Sequence, residues 1–379
     1  MATDLALLPD VAPLAGNAVL LHIGVHKTGT TAIQAALADA RPDLIAAGVT
    51  YPGKLQAQHR AALAVLQRHW GWNTRGGSVL DTKHFDKLAR KVQHNAGRVV
   101  ISSEFFCETD EPTTQRVVDA FDPSRLHVVV TLRNLGRLLP SSWQQYLKYG
   151  LTTPYEAWLD DVFATPGTSK MSPTFWRRHD HGAVLTRWAN AVGPENVSVL
   201  VLEQVDRTAM FRTFAQLLGV DPQILTGRME LTSNRSMTAA EAELLRTLNK
   251  RVKKQMVWED YVRYVRRGVA LGMVEGRTPH PDEPALHTPA WALDAAAVQG
   301  NRAADAIQQL GVRVLGDLDA LRRRLPDDGA APQTPDAVPI AAAVEAVATV
   351  IAAAHEDPTS RELAKALAKR VRRDLRRDP

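Results

Sequence analysis

Apolar and polar positions along this chain follow two alternating patterns. Val19-Leu20-Leu21-His22-Ile23-Gly24-Val25 is apolar almost throughout, as a strand covered on both faces should be. Similar runs recur at Arg98–Glu104, Leu126–Arg133 and Asn196–Glu203, and a short strand at 48–53 is closed by Pro52-Gly53. Between them the apolar spacing turns helical: Ile33–Ala47 (Ile33, Leu37, Leu44), His59–Trp70, Thr82–Asn95, Thr113–Phe121, Leu138–Gly150, Phe175–Val192 and Arg207–Leu218. Strands alternating with helices predict an α/β chain with a central parallel sheet flanked by helices.

From about Ala239 the pattern is helical only, over Ala240–Val265, Trp291–Leu310 and Leu315–Leu325. A Pro-, Asp- and Ala-rich stretch at 327–339 reads as a linker, followed by terminal helices Ile340–His355 and Ser360–Arg377. The expected organisation is an N-terminal extension (1–17), a main domain (18–326) and C-terminal helices with a basic tail (340–379). Within the main domain, a core over about 18–220 precedes a helical part over about 221–326.

Composition changes this picture little. Hydrophobic content of 45% and charged content of 23% are ordinary for a globular protein of 379 residues. Cys107 is the single cysteine, so no intrachain disulfide can form and a reducing compartment is expected. Residues 1–18 are acidic and broken by proline, with no basic segment of a secretory leader, and the expected location is cytoplasmic. The formal charge is +5, but Arg361–Asp378 alone carries eight Lys/Arg against three Asp/Glu. The basic balance therefore belongs to the tail and gives no ground for a nucleic-acid partner. Two readings of that tail stay open: contact with an anionic membrane surface, or packing of Leu363, Leu367 and Val371 on the protein or on a second copy.

The chemistry-bearing residues sit at strand ends. The first strand runs into His26-Lys27-Thr28-Gly29-Thr30-Thr31, and a helix follows. A loop ending at a helix N-terminus offers unpaired N–H groups and the positive end of a dipole, both of which favour an anion. Gly29 allows close backbone approach, Lys27 adds a charge, and three threonines add hydroxyls. This is no Walker A loop, because Lys27 precedes the second glycine instead of following it. Glu104 and Arg133 close two further strands, and Ser141 lies eight residues after Arg133, where a helix is expected to begin after Pro140. An arginine fork with a helix-start serine suits a second phosphate.

Taken together, these two elements resemble the nucleotide-dependent sulfotransferases, including bacterial members with a P-loop-like fold. That family has a Lys-Thr-Gly-Thr-Thr loop after its first strand, and an Arg at a strand end with a Ser eight residues on. The resemblance covers about residues 18–220, and Asn234-Arg235-Ser236-Met237 before an acidic helix also fits bacterial members. It implies 3′-phosphoadenosine-5′-phosphosulfate (PAPS) as donor, adenosine 3′,5′-bisphosphate (PAP) as product, and no required metal. It further implies that His26, Lys27, Thr28, Gly29, Thr30 and Thr31 face the 5′-phosphosulfate. Ser103, Arg133 and Ser141 would serve the nucleotide, with Arg133 and Ser141 on the 3′-phosphate. Glutamate-type members place a base where Glu104 stands, with His59 and His26 as competitors. The implied reaction is in-line transfer to a hydroxyl of a carbohydrate, a lipid-linked glycan or a small metabolite. Lys148, Gln144, Tyr146, Trp72, Arg75, Phe175, Trp176 and Arg177 are candidates for the acceptor side. His22, inside the first strand, reads as a satisfied core histidine. A metal-assisted nucleotide kinase and a non-catalytic nucleotide-binding interaction protein are the competing readings, and oligomeric state is open.

Overall fold

The computed structural model describes residues 11–203, 206, 208–229, 235–327 and 335–355. Its centre is a six-stranded sheet in which every neighbouring pair is parallel, in the order β2-β3-β1-β4-β5-β6. The strands are β1 (Val19–His22), β2 (Val49–Thr50), β3 (Arg98–Ser102), β4 (Leu126–Leu132), β5 (Val197–Val201) and β6 (Arg313–Leu315). The first five stand where the apolar runs put them. Their lack of alternation has the expected cause, since the two faces are covered by different helices. Val19 and Leu21 of β1 pack into one core with Val99, Ile101, Val128 and Val130. Leu20 faces the other way, with Ile33, Leu37, Val100 and Phe214.

Strand β6 corrects the sequence reading, which made Leu315–Leu325 a helix and residues 221–326 wholly helical. Arg313, Val314 and Leu315 pair with Ser198, Val199 and Leu200 of β5, and only Asp319–Arg322 is helical there. Three residues are too few for a period to declare itself, and the pairing energy comes from a strand more than a hundred residues away. The long helix expected over Ala240–Val265 is also broken. It forms Ala239–Val252, a short turn at Trp258–Asp260 and a π-helix, Tyr261–Leu271.

A third core lies beside the sheet and joins the helix after β4 (α1, Leu135–Leu147) to this C-terminal helical part. Tyr261 is fully buried in it, and its Oη donates toward Leu147 O at 3.0 Å and Asn249 Oδ1 at 2.7 Å. The helix Ile340–His355 packs on the π-helix, where Thr349 Oγ1 donates to Gly268 O at 3.0 Å. The basic segment beyond it, with Leu363, Leu367 and Val371, lies outside the described residues, as does Asn234. Among the described residues no helix is long and apolar enough to cross a membrane.

Because β3 and β4 flank β1, the chain leaving all three arrives at one edge of the sheet. Ligands of open parallel sheets bind beyond that edge. Gly24 fixes how closely the strands' exits approach. Its φ is +92°, and a Cβ there would sit 2.8 Å from Glu104 Cβ and 2.9 Å from Glu104 Cα. Gly24→Ala is expected to cost roughly 2–4 kcal/mol, combining left-handed strain with a backbone clash. Urea denaturation should report that loss.

Candidate functional site: an anion cradle at the sheet edge

The loop after β1 is shaped by a buried polar core. His22 bonds Ser102 Oγ through Nδ1 at 2.8 Å and Thr131 Oγ1 through Nε2 at 3.2 Å. Burial holds its pKa down to about 4, so the ring is neutral and its role is structural. Thr28 is fully buried, and its hydroxyl donates to Val25 O at 2.7 Å and lies 2.7 Å from Thr131 Oγ1. The side chain that the sequence offers to a ligand thus closes the loop from inside. Lys27 adopts φ +67°, an uncommon conformation for a residue with a Cβ, and Gly29 follows at φ +79° as N-cap of the helix Thr30–Asp39. The N–H groups of that helix's first turn lack intrahelical partners by geometry.

Lys27 is half-buried. Its ammonium donates to Gln145 Oε1 of α1 at 2.9 Å, a neutral partner. Burial lowers its pKa to about 7, and the positive charges of Lys148, Arg178 and Arg266 add to this, with Glu104 opposing. Among the described residues no carboxylate forms an ion pair with Lys27, and Glu104 acts on it only from a distance.

Across from it, Ser103 caps the short 3₁₀ turn Glu104–Glu108, its Oγ accepting from Phe105 N at 3.4 Å. That Oγ also lies 2.9 Å from His59 Nδ1, the first residue of the helix His59–Leu66. The Glu104 carboxylate accepts from Gln34 Nε2 at 3.0 Å and lies 3.7 Å from His59 Nδ1. Burial raises its pKa, but His59, His26 and the Gln34 bond outweigh burial and hold it below the ordinary carboxylate range. The structure thus brings Lys27, Glu104, Ser103 and His59 to one edge, and adds Gln34 and Gln145 as orienting amides. Neither glutamine was marked as a site residue by the sequence. Gln145 was accessible there, because Ser141, Gln145 and Lys148 lie at i, i+4 and i+7 on one helical face.

His26 turns away from the loop. Its Nε2 lies 2.8 Å from Glu108 Oε1, and Glu108 also binds Arg178 Nε at 3.0 Å and Arg68 Nη2 at 2.6 Å. That network stiffens the turn carrying Glu104. On the far side, Arg133 follows β4 half-buried, and its buried Nε lacks a partner among the described residues. Burial and the neighbouring Arg137 lower its pKa, yet a guanidinium stays charged. An orphaned, charged donor at the sheet edge fits an anion. Ser141 departs from expectation. The helix begins at Leu135, capped by Asn134, so Pro140 lies inside it and Ser141 falls in its second turn, its hydroxyl donating to Leu138 O at 3.0 Å. Asn134 captures Gly136 N at 3.0 Å and starts the helix before proline can.

Of the acceptor-side candidates, Phe175 and Trp176 are core, and Gln144 is buried against Met237. Tyr146 is buried too, bonded to Thr174 at 3.0 Å. Arg177 is exposed, whereas Trp72 packs on Tyr261 with tilted rings at 4.7 Å and carries Arg75 on its face. Lys148 lies at the C-terminal end of α1, half-buried. Among the described residues no three His, Cys, Asp or Glu side chains are grouped so as to hold a metal ion.

Glu108 gives the site a measurable acid limit. Burial raises its pKa, but Arg178, His26 and Arg68 outweigh burial and depress it strongly. A depressed carboxylate adds stability above its unfolded pKa, about 4.3, and loses it as pH falls toward the folded value. Glu108→Gln should cost about 3–5 kcal/mol at pH 7 by leaving buried cations unpaired. The gap between wild type and variant in urea denaturation should narrow steadily below about pH 4.

No family model matches this chain, and no curated protein matches it. Among solved structures, a sulfotransferase from Alicyclobacillus acidocaldarius is similar at 17% identity and a TM-score of 0.41, over 64% of this chain and 97% of that one.

Proposed function

We propose that this protein is a sulfotransferase that takes PAPS as donor and a hydroxyl compound as acceptor. The observation that carries this reading is Lys27, a loop cation held by a neutral amide at 2.9 Å and facing Glu104 across the edge of the sheet. The residues fit an anionic nucleotide. Lys27 and the N–H groups opening the helix Thr30–Asp39 would hold the phosphosulfate, and Arg133, whose buried Nε has no partner among the described residues, would take the 3′-phosphate. When bound, the donor supplies an activated sulfuryl group and a phosphate leaving group.

The chain's own residues would do the rest. Lys27 neutralises charge that grows on the leaving oxygen, and Gln145 fixes the direction of its ammonium. Glu104 is ionised at neutral pH and takes the acceptor's proton. Gln34 orients one carboxylate oxygen, and His59 is placed to steer or share the proton through Ser103 and Glu104. The logic is that of phosphoryl transfer, in which positioning and charge stabilisation carry most of the rate.

Calorimetry with PAP and ADP tests this directly. PAP should bind at least tenfold tighter than ADP without metal, and Mg²⁺ should not reverse the order. Arg133→Ala should remove most of that preference, a loss of about 1.5–3 kcal/mol for a charged hydrogen bond. An Mg²⁺-dependent preference for ADP would instead indicate a nucleotide kinase, and binding of neither would indicate an interaction protein. Glu104→Gln should keep PAP affinity within about twofold while lowering turnover by roughly 10²–10⁴.

A further inference from the structure

Helix α1 orders three charged stations along its length. Arg133 precedes its N-terminus, Gln145 meets Lys27 at 2.9 Å, and Lys148 stands at its C-terminal end. Ser141 and Lys148 are separated by about 10 Å at 1.5 Å per residue. The third station has cations without an assigned task. Lys148 is half-buried, and among the described residues no hydrogen bond or ion pair holds its ammonium. Arg266 of the π-helix lies beside it. Its guanidinium sits over Tyr149 at 4.7 Å and Trp70 at 5.6 Å from the ring centres, and among the described residues its one side-chain hydrogen bond, to Tyr149 Oη, is long at 3.4 Å. The acidic group acting on Lys148 is the exposed Glu275, which forms no ion pair with it among the described residues.

These cations adjoin a wall of rings that leads back to Glu104. Phe105 follows Glu104 in the chain and meets His59 at 5.2 Å and Trp70 at 5.4 Å. Trp70 meets Tyr149 at 5.5 Å. Trp70 and Tyr149 are both half-buried; Arg266 covers part of each ring and Trp258 stacks on Tyr149 at 5.9 Å, which leaves the remaining exposed ring surface for a ligand. Aromatic faces take the C–H faces of a ring, and cations with no carboxylate partner take an anion. Glu104, at one end of the wall, is the group that would deprotonate a hydroxyl.

We propose that this wall and the Lys148–Arg266 pair form the acceptor subsite, and that the acceptor is an acidic sugar, a hydroxylated ring carrying a carboxylate or a sulfate. The inference rests on the sulfotransferase reading for its direction, with donor phosphates at the Arg133 end of α1 and acceptor at the Lys148 end. The anion meets Lys148 and Arg266, the ring lies along Trp70 and Tyr149, and a free hydroxyl reaches Glu104.

The test compares 4-nitrophenyl β-D-glucuronide with 4-nitrophenyl β-D-glucoside, which share ring and aglycone and differ in the carboxylate. Saturation-transfer NMR titrations are run on the PAP-loaded and on the nucleotide-free full-length protein. The glucuronide should bind at least tenfold tighter than the glucoside, and the preference should shrink as NaCl is raised. Lys148→Met and Arg266→Met should each remove most of the preference, Lys148→Arg should retain it, and any change in PAP affinity should stay well below the change in glucuronide preference. Equal affinity for the two glycosides, binding of neither, or a preference that survives both methionine variants would overturn the proposal. A large loss of PAP affinity in those variants would assign the wall to the nucleotide and overturn it as well. The wild-type comparison and its salt dependence stand even if a variant fails to fold. If PAP itself does not bind, the sulfotransferase reading fails, while the glycoside comparison on the nucleotide-free protein still judges the subsite by itself.

Discussion

The ammonium of Lys27 is held at the edge of the sheet by a neutral amide and surrounded by other positive charges. Burying a cation without a counter-charge is unfavourable, and much of the neighbouring structure keeps it there. Thr28, Thr131 and His22 lock the loop from below. Gly24 lets the turn of Glu104 pass within van der Waals distance of the loop. Gln145 brings α1 over the top, and the third core fixes α1 through Tyr261. A site preorganised in this way has charge and donors fixed before any ligand arrives, and such fixing is what stabilises charge in a transition state.

Two glutamates four residues apart show how environment divides roles. Glu108 is saturated by Arg178, Arg68 and His26 and serves the framework. Among the described residues the Glu104 carboxylate accepts from one side-chain donor, Gln34, and lies 3.7 Å from His59, so it keeps lone pairs for a proton. Both are ionised at neutral pH, but only Glu104 is left with unfilled capacity. That contrast, more than position at a strand end, is why Glu104 and not Glu108 is the proposed base.

Much of the fold was legible because it is carried by runs of apolar residues. Five strands and most helices were visible, since two covered faces leave no room for polar alternation in Val19–Leu21 or Val128–Val130. Strand β6 was hidden because three residues carry no period and their partner is distant in sequence. The loop residues could be read from type and spacing, but the direction of their side chains could not. Thr28 points into the core, His26 toward Glu108, and Ser141 back onto its own helix. Thr131 and Glu108 lie on other elements, and the early cap at Asn134 draws Ser141 into the body of its helix, none of which a local pattern contains. Gln34 and Gln145 escaped notice for a related reason. Amides are common on helices, and their meaning here comes only from the Glu104 and Lys27 they meet.

The most direct test of the loop lysine is proton uptake on PAP binding, read by calorimetry at pH 8 in buffers of different ionisation enthalpy. With a free pKa of about 7, Lys27 is largely neutral at that pH, and a bound anion restores its charge. Binding should take up roughly one proton per site, affinity should fall as pH rises from 7 to 9, and Lys27→Met should abolish both effects. Binding of PAP with no proton uptake, or uptake unchanged in Lys27→Met, would contradict the role assigned to this lysine.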